Sequence, residues 1–131
     1  MLDHLGIYAS DFERSKLFYR AVLGAIGYKP LHEMTARDTG LVPLIGFGVE
    51  HADFWLGGSS AARPVTCGSL HIAFRVKNRA GVEAFYQAAL KVGGRDNGKP
   101  GLRPEYHPHY YGAFVLDPDG HNIEAVCHEP E

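Results

Sequence analysis

The chain has 131 residues, 45% hydrophobic and 21% charged, with a net charge of −2 and a pI near 6.4. That balance fits one globular domain with a real core, and it leaves no basic footprint for nucleic acid and no polybasic or amphipathic anchor for a membrane. With no charged-then-apolar leader at Met1 and no apolar run of about eighteen residues, the expected compartment is the cytoplasm, with Cys67 and Cys127 as buried or semi-buried thiols.

The first element is a strand, because Leu2 to Ala9 alternates loosely between apolar and other residues. Ser10, followed three places on by Glu13, has the spacing of a capping box and predicts a helix start. Leu17, Phe18, Ala21, Val22 and Ala25 recur at three and four and give that helix one buried face, which Gly24 and Gly27 end. Leu44 to Val49 and Asp53 to Gly57 read as strands. The stretch from Gly57 to Gly68, rich in Ser, Ala, Gly and Pro, reads as a linker.

Leu70 to Val76 is the next strand. Asn78 is placed as the cap of a second helix, whose stripe is Val82, Phe85, Ala89 and Leu90 and whose end is Gly93-Gly94. From Asp96 to Tyr110 the chain is dense in Gly, Pro, His and Tyr and reads as a long irregular loop of the kind that carries function. Tyr111 to Leu116 and Asn122 to Cys127 are the last strands, joined by the tight turn Asp117-Pro118-Asp119-Gly120.

The chain repeats itself. One gapless shift that carries His4 onto His71 also carries Phe18-Tyr19 onto Phe85-Tyr86, Ala21 onto Ala88, Leu23 onto Leu90 and Gly27 onto Gly94. Such self-similarity marks one supersecondary unit used twice, related by a pseudo-two-fold axis at which the two histidines can converge. Each unit reads as βαβββ. The expected organisation is a single α+β domain over 1–131, with module 1 at about 1–57, a linker at about 58–68 and module 2 at about 69–128.

Paired βαβββ units, His4 in the opening strand, the second opening Leu70-His71-Ile72-Ala73-Phe74 and the closing Asp117-Pro118-Asp119-Gly120-His121-Asn122-Ile123-Glu124 together resemble the vicinal oxygen chelate superfamily. That superfamily includes glyoxalase I, fosfomycin-resistance thiol transferases, extradiol dioxygenases and bleomycin-resistance proteins. The resemblance implies two modules forming a cup-shaped sheet around a divalent metal, with His4, His71 and Glu124 as its ligands and Glu124 also as the catalytic residue. Two imidazoles and a carboxylate suit Fe, Mn, Zn or Ni and leave positions open for substrate. It also implies a homodimer, in which the modules pair within or between chains.

One departure stands out. In glyoxalase I a fourth, acidic ligand comes from the last strand of the first module. Its closest equivalent here is Trp55, whereas the strict repeat gives Gly57; Asp53 or Glu50 could serve only if the strand slipped. The set of three is closer to the fosfomycin-resistance enzymes and the extradiol dioxygenases.

Around these residues, His107, His109 and Tyr110 read as a pocket rim, with Arg103 placed to meet an anionic group and Trp55 lining the same cup. Phe47 and Phe54 would line or support it. Glu124 could face either side of its strand, and His121 reads as a solvent-facing turn residue. His32, His51 and His128 read as surface histidines. Three functions follow from these residues: a metal-dependent enzyme acting on a small oxygenated or thiol-conjugated molecule, a metal-free small-molecule binder of the bleomycin-resistance kind, and a dimeric structural module with a vestigial site.

Overall fold

The computed structural model describes residues 1–131. The first half comprises β1 (Leu5–Ala9), α1 (Phe12–Gly24), β2 (Lys29–Met34), α2 (Ala36–Thr39), β3 (Leu44–Gly48) and β4 (Ala52–Gly58). The second comprises β5 (His71–Arg75), α3 (Arg79–Lys91), β6 (Arg95–Leu102), β7 (Tyr111–Leu116) and β8 (Asn122–Cys127). Each half makes a four-stranded sheet, in the orders β1-β4-β3-β2 and β5-β8-β7-β6. The outermost pairs β1–β4 and β5–β8 are parallel and all others antiparallel. The architecture is α+β with tandem βαβββ modules, and α2 is a one-turn addition to the first. No helix is long and apolar enough to cross a membrane.

Local chemistry explains where the elements begin and where they depart from expectation. Asn78 caps α3 as expected, accepting the Gly81 N–H at 3.0 Å. The cap of α1 is Asp11 rather than Ser10: its carboxylate accepts the Arg14 N–H at 3.1 Å, while the Ser10 N–H binds Asp119 Oδ2 at 3.0 Å in the far turn. Leu17 is 64% exposed and Leu90 is also exposed; the inner face of α1 is carried by Ser15, Phe18, Tyr19, Val22 and Leu23. The stretch expected to be one long loop from Asp96 holds β6, and β2 precedes the two first-half strands read from sequence. Both are edge strands, exposed at most positions and interrupted by Pro30, Gly98, Pro100 and Gly101, with register shifts at Pro30/His32, Gly98 and Gly101. Edge positions tolerate proline and bulges, which erase the period-two signal of a half-buried strand.

One face of each sheet is closed by its helix, and the closed faces share a single core. Ile7, Ile45, Phe47, Phe54 and Leu56 enter it from the first sheet, and Phe74, Val115, Ile123 and Ala125 from the second. Phe47 and Phe54 thus serve the core and not the open face. Phe54 meets Phe74 edge-on across the junction, with ring centroids 5.7 Å apart. A polar latch crosses it as well: the buried Tyr19 hydroxyl donates to Asp117 Oδ2 at 2.6 Å, and Asp117 Oδ1 accepts the N–H groups of Asp119 and His121. His121, expected to face solvent, is 2% exposed, and neither ring nitrogen has a partner.

At the same junction a cleft of about 280 Å³ opens beside Tyr28 and Asp53. The Tyr28 hydroxyl donates to Asp53 Oδ2 at 2.9 Å. Partial burial first, then this bond and the carboxylate charge, push the phenol from its ordinary 10.0 up to about 12. The folded chain therefore holds this proton more tightly than the unfolded chain. The contribution is complete below pH 10 and is lost as the pH rises from 10 to about 12. Urea unfolding across that window is expected to show falling stability, with a shallower fall in Tyr28→Phe; equal slopes in the two proteins would contradict this role.

Candidate functional site

Side chains alternate along a strand, so the residues flanking the core positions of β8 project to the open face. Asn122 and Glu124 do so, beside His71 on β5 and Gly112 and Phe114 on β7; Ala73 pairs with Glu124, and Phe114 with Glu124 from the other side. The open question of the Glu124 face is resolved in favour of this one. Glu124 is nonetheless only 1% exposed, whereas His71 is 46% exposed. The covering group is Tyr110, whose hydroxyl donates to Glu124 Oε1 at 2.5 Å. Partial burial and the carboxylate raise that phenol well above its ordinary range. Gly112 makes the arrangement possible, since a Cβ there would lie 2.9 Å from Glu124 Oε1 and 3.2 Å from the Tyr110 ring.

The other carboxylate oxygen faces His71. Its Oε2 lies 3.1 Å from His71 Nε2, and His71 Nδ1 lies 3.1 Å from the Asn122 carbonyl oxygen. A carbonyl only accepts, so Nδ1 carries the proton, and in the neutral ring Nε2 points a lone pair at a carboxylate oxygen. Two acceptors at that distance need a positive charge between them, either a proton on Nε2 or a cation. The spacing suits a cation: two ligands about 2.1 Å from one ion at a right angle lie about 3 Å apart. The carbonyl behind Nδ1 is the usual support that fixes the tautomer of a ligating histidine.

Next to this pair is a polar recess of about 290 Å³, lined by Asn97, Gly98, Arg103, Glu105, Tyr106, Phe114 and Asn122. Arg103 lines it but spends two donors on its own loop, binding the carbonyls of Leu102 at 3.2 Å and Lys99 at 2.7 Å. Its guanidinium also lies over the Phe114 ring. His107 and His109 are exposed and sit with His128 in an edge-to-face cluster, the ring centroids 5.7 and 5.9 Å from His107. His128, expected to be an isolated surface residue, also packs against Tyr110. Among the residues of this loop, Tyr110 is the one that bonds to Glu124. That contact spans separate elements and had no signal in the local sequence.

His4 lies elsewhere. It is exposed, with Nδ1 2.6 Å from Asp3 Oδ1, and it lines a groove on the first sheet together with Gly6, Tyr8, Met34, Leu44 and Trp55. Strand register settles the relation of Trp55 to the second sheet. The shift that carries His4 onto His71 carries Gly6 onto Ala73; Gly6 pairs with Trp55 just as Ala73 pairs with Glu124. Trp55, not Gly57, therefore occupies the place that Glu124 occupies in the other module. His32, expected to be a plain surface histidine, stacks on Trp55 with planes 9° apart.

Within one chain no three His, Cys, Asp or Glu side chains are spaced to hold a metal ion. His71 and Glu124 come together and His4 does not join them. A divalent ion fits the His71–Glu124 pair as two of its donors.

The sequence matches the model of the Glyoxalase/Bleomycin resistance protein/Dioxygenase superfamily over residues 1–125, and the chain belongs to that superfamily. Among solved structures it is similar to a glyoxalase/bleomycin resistance protein from Albidiferax ferrireducens T118, with 25% identity, 97% of each chain covered and a TM-score of 0.76. A lactoylglutathione lyase from Agrobacterium tumefaciens shares the fold at 18% identity and TM-score 0.65, over 95% of this chain and 90% of the other. A V278E mutant of glyoxalase I from Zea mays does so at 23% identity and TM-score 0.73, over 95% of this chain but 45% of the maize chain. Comparison with curated proteins finds no match.

Proposed function

We propose that the protein is a metal-dependent enzyme acting on a small oxygenated or thiol-conjugated molecule, and that it works as a homodimer. His71 and Glu124 of one chain and His4 of the partner subunit hold the metal, drawn from Fe, Mn, Zn or Ni. The approach of His71 Nε2 to Glu124 Oε2, with Nδ1 tied back to the Asn122 carbonyl, is the observation that carries this function. A divalent ion there supplies Lewis-acid stabilisation of negative charge on bound substrate oxygens. Tyr110 holds Glu124 in place and keeps one carboxylate oxygen free. Asn97 and Asn122, bonded to each other at 3.1 Å, present polar groups to a substrate in the recess, and Phe114 forms its apolar wall. The free Cys67 and Cys127 support a cytoplasmic setting.

Trp55 in place of a carboxylate favours a second reading, a metal-free binding protein that holds a small molecule against this sheet. A subunit-mixing experiment separates the two. His4→Ala and His71→Ala proteins, made without a histidine tag, are each expected to bind no metal by elemental mass spectrometry. A heterodimer of the two variants has one intact and one doubly damaged site, so random re-pairing is expected to restore about a quarter of the wild-type content. No metal in the wild type after reconstitution with each of the four ions would leave the binding protein, and recovery near zero on mixing would end the shared site.

A further inference from the structure

We propose that the groove on the first sheet is the seat of a planar aromatic ring of the ligand. The inference rests on the small-molecule reading above and adds the class of molecule. Its basis is how the aromatic side chains lie on this sheet.

Two rows of residues cross the open face. In one, Gly6 of β1, Trp55 of β4, Gly46 of β3 and His32 of β2 are neighbours in register. In the next, Tyr8 pairs with Gly57, Gly57 with Leu44 and Leu44 with Met34. Each row places a glycine beside an aromatic residue, and in each the ring leans over it. A Cβ on Gly46 would lie 3.0 Å from the Trp55 ring, and one on Gly57 would lie 2.7 Å from the Tyr8 ring. Both rings therefore lie down on the sheet instead of standing up from it.

Trp55 reaches across Gly46 far enough to stack with His32, ring centroids 5.7 Å apart. Trp55 and Tyr8 are half-buried, so each keeps part of its surface toward the groove. The groove measures about 370 Å³, with Met34 and Leu44 as apolar sides and His4 at its edge. A cavity of that size accepts one or two fused rings. No Asp, Glu, Lys or Arg lines it, so what it offers is flat π surface, and flat π surface favours a flat ring over a puckered one.

Trp55 is the only tryptophan in the chain, so its indole N–H gives a single nitrogen–proton NMR signal that reports on this groove directly. The probes are 2-naphthol and its saturated counterpart decahydro-2-naphthol, alike in outline and hydroxyl but not in planarity. Neither chelates a metal, and with the titrations run on metal-free protein the outcome does not depend on a bound metal. We expect 2-naphthol to shift the indole signal saturably, with a ring-current displacement and at least tenfold tighter binding than the saturated alcohol. Trp55→Leu is expected to lose at least tenfold in 2-naphthol affinity by calorimetry, and Trp55→Phe to recover part of it; Tyr8→Leu should also weaken binding if the Trp55 variants do not fold. Equal affinity for the two alcohols, no saturable shift, or unaltered affinity in Trp55→Leu would overturn the proposal. A shift without any metal uptake would keep the aromatic seat and remove the metal enzyme, whereas metal uptake without a shift would do the reverse.

Discussion

Replacing Glu124 by glutamine is expected to abolish stoichiometric metal binding while leaving the protein folded. Glutamine keeps the length of the side chain and an oxygen that accepts from the Tyr110 hydroxyl, but it removes the negative charge that faces His71 Nε2 at 3.1 Å. Losing a supporting residue typically costs 10–100-fold in metal affinity, and loss of a charged ligand should exceed that, by about a hundredfold or more. Calorimetric titration with Mn(II) and Zn(II), together with metal content of the protein as purified, measures the effect. A wild-type affinity in Glu124→Gln would remove Glu124 from the ligand set. A Tyr110→Phe protein makes the informative companion, because it leaves both proposed ligands in place and releases only the carboxylate's anchor, so its affinity should fall between those of the wild type and Glu124→Gln.

The largest effect on stability is expected at a buried residue that takes no part in the His71–Glu124 contact. Asp117 is buried in the turn between β7 and β8 and accepts three hydrogen bonds, from the Tyr19 hydroxyl at 2.6 Å and from the N–H groups of Asp119 and His121 at 2.9 and 2.8 Å. Alanine there strands three donors, of which the Tyr19 hydroxyl and the His121 N–H are buried. The expected loss is about 3–5 kcal/mol, seen as a fall of about 10–20 °C in melting temperature. Tyr19→Phe removes one of the three bonds and keeps the ring packed, so its cost should be about 1–2 kcal/mol. Denaturant unfolding of the three proteins checks both values. A cost below about 1 kcal/mol in Asp117→Ala would mean that these three bonds add little to the stability of the junction.

Much of the fold was legible because it is written twice. The helices announce themselves through three-and-four periodicity and terminal glycines, and the repeat ties the two halves together even where a single strand is ambiguous. Edge strands were harder to read. Lys29–Met34 and Arg95–Leu102 carry no apolar alternation, because an edge needs to bury little and can hold proline and glycine at its bulges. Burial of single polar residues was also hidden: His121 reads like any turn residue until the turn is seen folded under Asp117.

The pairing of His71 with Glu124 could be anticipated, since the first and last strands of a βαβββ unit are adjacent and parallel. The tie from Tyr110 to Glu124 and the reach of Trp55 to His32 could not, since each depends on a glycine making room on a neighbouring strand. Sequence placed the fourth-ligand position at either Trp55 or Gly57, and only the pairing of Gly6 with Trp55 decides between them.

The equivalence of Trp55 and Glu124 gives the molecule a sense of direction. A duplicated frame with like residues at like places would present the same chemistry from both ends, and a bound molecule could turn end for end without penalty. Here one copy holds an acid and the other an indole, so positions that correspond in the backbone differ in what they offer a ligand. Position 55 responds to shape and position 124 to charge. On the proposed function, a molecule lying across the two kinds of sheet would meet a flat end and an ionic end, and the near-symmetry of the fold would fix which way round it sits.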